Sequence, residues 1–125
     1  MRSSLIASLV AVVSVIGCRK DSSPTPAEIT DRAWTAHTLV IAAGERARTC
    51  AEAGAAMQQV FSEHRQAFVD AMALDRDKAR LAEAAAFIEA NEQRYADLET
   101  RMAALSDRCA EDPTVQAAFD QMSSP

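Results

Sequence analysis

Two apolar seams that are out of phase with each other constrain how this chain can fold. Apolar or small residues recur in steps of three and four through Ala33, Ala36, Val40, Ala43, Ala47, Cys50, Gly54, Met57, Phe61, His64, Phe68 and Ala71. That is a heptad-like helical stripe. A second stripe runs through Leu81, Ala84, Ile88, Asn91, Tyr95, Leu98, Met102, Leu105 and Cys109. Continuing the first by its own steps would turn Asp75, Lys78, Glu89 and Glu92 inward, so the phase breaks between Ala71 and Leu81. The polar stretch Asp75-Arg76-Asp77-Lys78 is where the chain turns, and either aspartate can cap a new helix. No Gly or Pro marks the turn, so local chemistry alone signals it weakly. The chain is rich in good helix formers and holds 3 Gly, 4 Pro, 1 Trp and 1 Tyr, which leaves little to build sheets. The expected fold class is therefore all-α.

The beginning of the chain is different in kind. Met1-Arg2 precedes an apolar run from Leu5 to Ile16, and Val15-Ile16-Gly17-Cys18 closes it. As a helix, Leu5 to Gly17 would cover roughly 20 Å at about 1.5 Å per residue, short of the ~30 Å hydrocarbon core of a bilayer. An early Arg, a short apolar run and small residues at its end fit a processed secretory signal. Residues 1–18 resemble the lipobox signal peptide of bacterial lipoproteins. The resemblance implies cleavage between Gly17 and Cys18, a diacylglycerol on the Cys18 sulfur and acylation of the new amino terminus. Two or more acyl chains anchor stably where one binds only reversibly. Arg19 stands where an Asp would resemble inner-membrane retention, so the implied address is an outer-membrane lipid anchor facing the periplasm, or the cell membrane of a host with a single membrane. An ordinary signal peptide, or a buried helix with an incidental cysteine, is the alternative. On this reading residues 1–17 are the leader, 18–24 a lipidated tether ending in Ser22-Ser23-Pro24, and 25–125 the helical domain.

Charge narrows the partners. Removing the leader removes Arg2 and takes the formal net charge from −5 to −6. An acidic chain without a dominant basic patch is a poor match for the nucleic-acid backbone or for a broad footprint on anionic lipid. The expected partners are the membrane, through the lipid anchor, and an envelope protein or a second copy of the chain.

With Cys18 assigned to lipid, Cys50 and Cys109 remain, placed symmetrically about the turn at Asp75–Lys78. An antiparallel hairpin folded there would bring Cys50 opposite Cys109, Gly54 opposite Leu105, Met57 opposite Met102, Phe61 opposite Leu98, His64 opposite Tyr95 and Ala71 opposite Ile88. In the oxidising compartment that a secretory signal implies, such a pair becomes a disulfide. The competing arrangement, one uninterrupted helix, would hold the two cysteines roughly 90 Å apart at about 1.5 Å per residue.

Caps delimit the remaining helices. Thr25-Pro26-Ala27-Glu28 is a capping box with Pro at the first helical position, and Asp112-Pro113 opens a last helix carrying Val115, Ala118, Phe119 and Met122. Gly44 and Gly54 each cost about 1 kcal/mol relative to Ala inside a helix, which admits a bend or break near Gly44. The expected helices span about 26–43, 45–74, 77–109 and 113–122. The last could cover Trp34, Val40 and Ile41; alternatively residues 26–43 fold back over Val60, Met72 and Phe87. Either way the expected architecture is a small helical bundle built on a disulfide-stapled antiparallel hairpin.

The chemistry is sparse. His37 lacks a second His one turn away, the zinc spacing His-Glu-x-x-His is absent, and so are Cys-x-x-Cys-His, a phosphate loop and a Gly-x-Ser-x-Gly elbow. No enzyme, metal or cofactor is expected. Glu83, Glu89 and Glu92 read as solvated charge beside Arg80 and Arg94. Two function classes follow. One is a non-catalytic, lipid-anchored structural or protein-interaction module with Val60, Met72 and Phe87 on its interaction face. The other is a small periplasmic binding module for a metal or hydrophobic ligand, using His64, Tyr95 and the Met57–Met102 layer.

Overall fold

The computed structural model describes residues 23–125. Gly17, Cys18 and the rest of the expected leader and tether up to residue 22 lie outside the described residues. The fold is all-α: α1 Pro26–Arg46, α2 Cys50–Ala73, a 3₁₀ turn Leu74–Arg76, α3 Lys78–Ala90, α4 Glu92–Arg108 and α5 Pro113–Ser123. Among the described residues no helix is long and apolar enough to cross a membrane.

The caps act as the sequence predicts. Thr25 Oγ1 accepts from the Glu28 N–H at 3.1 Å while Glu28 Oε2 accepts from the Thr25 N–H at 3.4 Å. Asp77 accepts from the Ala79 and Arg80 N–H groups, and Asp112 from those of Thr114 and Val115, so these three helix starts gain side-chain acceptors for part of their free N–H groups.

Two boundaries differ from expectation. α1 runs on through Gly44 to Arg46, and the break falls at Ala47–Thr49, where Thr49 caps α2 by accepting from the Glu52 N–H. Thr49-Cys50-Ala51-Glu52 carries the Ser/Thr-x-x-Glu start signal, and it overrides the weak helix propensity of Gly44. The single helix expected over 77–109 is two. Asn91 Nδ2 donates to the Phe87 carbonyl at 2.8 Å and the Asn91 N–H donates to the Ile88 carbonyl at 3.0 Å. An Asn that bonds its own preceding turn competes with helix continuation, and the backbone there leaves helical geometry at φ −122°, ψ 30°.

The disulfide forms, joining Cys50 at the start of α2 to Cys109 just after α4, with 5.6 Å between Cα atoms. α2 and α3–α4 run antiparallel and are tied at this end, but they are not each other's main neighbours. α2 packs chiefly on α1 and α5, while α1 also packs on α3 and α4. Gly44 shows why the opposed pairs do not meet as expected. A Cβ there would lie 2.7 Å from Leu105 Cδ2 and 2.8 Å from Met57 Sδ, so the backbone of α1 occupies the space between α2 and α4. Gly54 likewise lets α5 approach, since a Cβ there would run into Thr114. Neither glycine has positive φ; both are kept small by close approach rather than by backbone conformation.

α5 covers α2 rather than the Trp34 side of α1. Gln58 Nε2 donates to the Thr114 carbonyl at 2.9 Å, and the Arg65 guanidinium donates to the Pro125 carbonyl. Val40, Ile41, Met57, Val115 and Ala118 are fully buried in the shared core. A smaller cluster of Ile29, Leu74 and Ala84 closes the other end of the bundle.

Candidate functional site

Between α1 on one side and α3–α4 on the other, with the end of α2 as floor, lies a cleft of about 370 Å³. Thr30, Ala33, Trp34 and His37 come from α1; Ala71, Leu74 and Asp75 from the end of α2 and the 3₁₀ turn; Leu81, Ala84 and Ile88 from α3; and Tyr95, Leu98, Glu99 and Met102 from α4. Leu81, Ala84, Ile88, Tyr95, Leu98 and Met102 of the second seam line this cleft, whereas Leu105 and Cys109 join the core shared with α2. α2 has non-helical geometry at His64, with φ −115° and ψ 16°. α3 buries only Ala84 and leaves Leu81 and Ile88 each 40 % exposed at the cleft.

The wall formed by Trp34 is held from three directions. Its indole N–H donates to the Arg94 carbonyl at 3.3 Å, the Arg94 guanidinium lies 4.0 Å from the ring centroid, and Arg94 Nη2 reaches Asp31 Oδ1 at 2.8 Å. Farther along α1, Glu45 and Arg101 form a bidentate pair that fixes α4 to the same helix. The Trp34 side chain is thus pre-positioned before any ligand arrives.

Besides Thr30, Asp75 and Glu99, two polar side chains line the mostly apolar cleft. His37 Nδ1 donates to the Ala33 carbonyl at 2.8 Å, and its ring lies tilted on Phe68 with centroids 4.5 Å apart. Burial pushes its pKa below the ordinary histidine value against the opposing effect of that hydrogen bond, so the imidazole is neutral near pH 7. The Tyr95 hydroxyl is buried and has no hydrogen-bond partner among the described residues. Burial also raises its pKa, opposed by the nearby Arg94 charge, so it is a neutral phenol. A buried hydroxyl without a partner carries a desolvation penalty of roughly 1–3 kcal/mol.

The expected site residues fall apart in an instructive way. Tyr95 and Met102 do line the cleft, but Met57 is in the sealed core and no hydrogen bond joins His64 to Tyr95; the histidine of the cleft is His37. Among the described residues no three His, Cys, Asp or Glu side chains gather into a group able to hold a metal ion. Val60 packs against the main core, Met72 is 47 % exposed near the end of α2, and Phe87 is half-buried on α3. Glu83, Glu89 and Glu92 are exposed, and Arg94 pairs with Asp31 instead of with them. Trp34 and His37 were legible only in part: their three-residue spacing puts both on one side of a helix, but nothing local says which neighbour they will face. The chain matches no family model, no curated protein and no solved structure.

Proposed function

We propose that this protein is a non-catalytic, lipid-anchored component of the cell envelope that binds an apolar ligand in the cleft between α1 and α3–α4. The observation that carries this reading is the cleft itself. Its volume of about 370 Å³ falls in the range of roughly 300–1,000 Å³ usual for small-molecule sites. Its walls are mostly aliphatic and aromatic, with Thr30, His37, Asp75, Tyr95 and Glu99 as the polar exceptions. Apolar enclosure with a few polar groups suits the binding of a small molecule. Both described cysteines are locked in the disulfide, and the only side-chain hydrogen bond of His37 goes to a backbone carbonyl, so neither supplies an activated nucleophile.

The anchor in this reading is Cys18, on the strength of the lipobox residues, and places the domain at the outer membrane facing the periplasm, or at the cell membrane of a single-membrane host. Recognition is assigned to the cleft in preference to Val60, Met72 and Phe87, because Val60 packs against the main core and Phe87 is half-buried, which leaves Met72 the exposed large side chain of the three.

Titration of the mature chain with the neutral probe N-phenyl-1-naphthylamine tests the site. Saturable binding that weakens at least about tenfold in Leu81→Glu and Ile88→Glu is expected, since a charge placed at the apolar rim must be desolvated by the bound probe. Unchanged binding in both variants overturns the assignment. Radiolabelled palmitate incorporation with membrane fractionation tests the anchor: Cys18→Ser is expected to abolish labelling, and equal labelling overturns it.

A further inference from the structure

The charged groups lining the cleft are of one sign. Asp75 and Glu99 contribute carboxylates, both on exposed residues and neither in an ion pair among the described residues, while no Lys or Arg lines the cavity. Three arginines of the neighbouring helices are engaged elsewhere, Arg94 with Asp31 and over Trp34, Arg101 with Glu45, and Arg80 Nη2 with the Pro24 carbonyl at 3.4 Å, while Arg76 and Lys78 follow Asp75 in sequence without lining the cleft. His37, the remaining nitrogen base in the cleft, is held against Phe68. An anionic head group would meet two carboxylates and no cation, whereas an amine or quaternary ammonium would meet complementary charge at the rim.

Resting on the assignment of the cleft as the recognition site, we propose that its ligand is a small cationic amphiphile: an alkyl or aryl body enclosed by Trp34, Leu81, Ile88 and Leu98, with a positively charged end held by Asp75 or Glu99. The cavity is of small-molecule size, which favours this occupant over a helix of a partner protein, whose stable docking would bury about 800 Å² on each side.

Trp34 is the sole tryptophan and lines the cleft, so its emission reports occupancy. Dodecyltrimethylammonium, dodecyl maltoside and dodecanoate, each below its micellar concentration, are titrated into the mature chain from residue 18 carrying Cys18→Ser. The expected order is cation, then neutral, then anion, with cation and anion at least about tenfold apart at low salt and converging as salt screens the rim. In the Asp75→Asn, Glu99→Gln double variant the neutral amphiphile should bind as before while the separation between cation and anion collapses. Dodecanoate binding as tightly as the cation, or a preference that survives in the double variant, overturns the charge assignment while neutral binding upholds the cleft. Failure of all three amphiphiles to perturb Trp34 overturns the cleft as recognition site and the present inference with it.

Discussion

α1 meets two different neighbourhoods along its length and around its axis. Toward α2 and α5 it is sealed: Val40, Ile41, Met57 and Val115 are all at 0 % exposure, Gly44 lies directly against the Met57 and Leu105 side chains, and Gly54 brings the backbones of α2 and α5 together. Toward α3 and α4 it is open, with Leu81 and Ile88 each 40 % exposed and a buried hydroxyl without a partner. The same composition of Ala, Leu and aromatic residues serves both sides. What differs is complementarity: on the sealed side small residues face large ones, so the space between helices is filled to the density of protein interiors. On the open side the small residues Ala33, Ala71 and Ala84 line a cleft whose larger members Leu81 and Ile88 stay 40 % exposed, so the space between the helices is not filled. The sealed side holds the domain together, and the open side is left available for recognition.

The disulfide spans the two sides, joining the start of α2 to the end of α4, and cutting it should produce the largest effect. Its sequence separation of 59 residues corresponds to about 4 kcal/mol of unfolded-state restriction in the chain-entropy model. Cys50→Ala with Cys109→Ala is expected to lose most of that in denaturant melts while far-UV dichroism at low temperature keeps its helical shape. A loss below about 1 kcal/mol would show that packing on the sealed side suffices alone.

The glycines separate the sealed side into a rigid and a yielding part. At Gly54 an added methyl meets the Thr114 backbone, so α5 as a whole must move, and Gly54→Ala should cost about 2–3 kcal/mol. At Gly44 the methyl meets the ends of Met57 and Leu105, which can rotate, and the helix-propensity gain of up to about 1 kcal/mol partly offsets the clash. Gly44→Ala should therefore be the milder of the two by at least about 1 kcal/mol. Equal costs in urea titration would mean that α5 is less firmly seated than its burial suggests.

The open side should respond to acid. The folded-state pKa of His37 is lowered by burial, so the unfolded chain binds its proton more readily and stability rises with pH across the titration. The His37 contribution is fully present above the unfolded value of 6.5 and is lost as pH falls below it. Thermal melts at pH 7.5 and pH 5 should show a drop in wild type that shrinks in His37→Gln; an equal drop in both would assign the acid sensitivity to other groups.

The smallest effect, and the one with opposite sign, belongs to Tyr95. Removing an unpaired buried hydroxyl relieves a desolvation penalty, so Tyr95→Phe should leave the melting temperature unchanged or raise it by an amount equivalent to about 1 kcal/mol or less. Destabilisation by more than that would place a water or a backbone partner on the hydroxyl in solution and make the open side better satisfied than its geometry indicates.

Local chemistry made much of the fold legible in advance. Thr25-Pro26-Ala27-Glu28 and Asp112-Pro113 mark helix starts because capping is decided within four residues, and the phase break before Leu81 marks the reversal because helical period is a property of one segment. The symmetry of Cys50 and Cys109 about that reversal gave their pairing. The Thr49–Glu52 start signal was equally local and equally available, though the propensity of Gly44 drew the expected break away from it. Periodicity states which face of a helix is apolar but not which other apolar face it will meet, because the partners are separated by dozens of residues and several pairings bury similar area. Only the tertiary structure placed α1 between α2 and α4, brought His37 rather than His64 beside Tyr95, engaged Arg94 and Arg101 with Asp31 and Glu45, and so left a cleft lined by Asp75 and Glu99 whose charge no single helix could reveal.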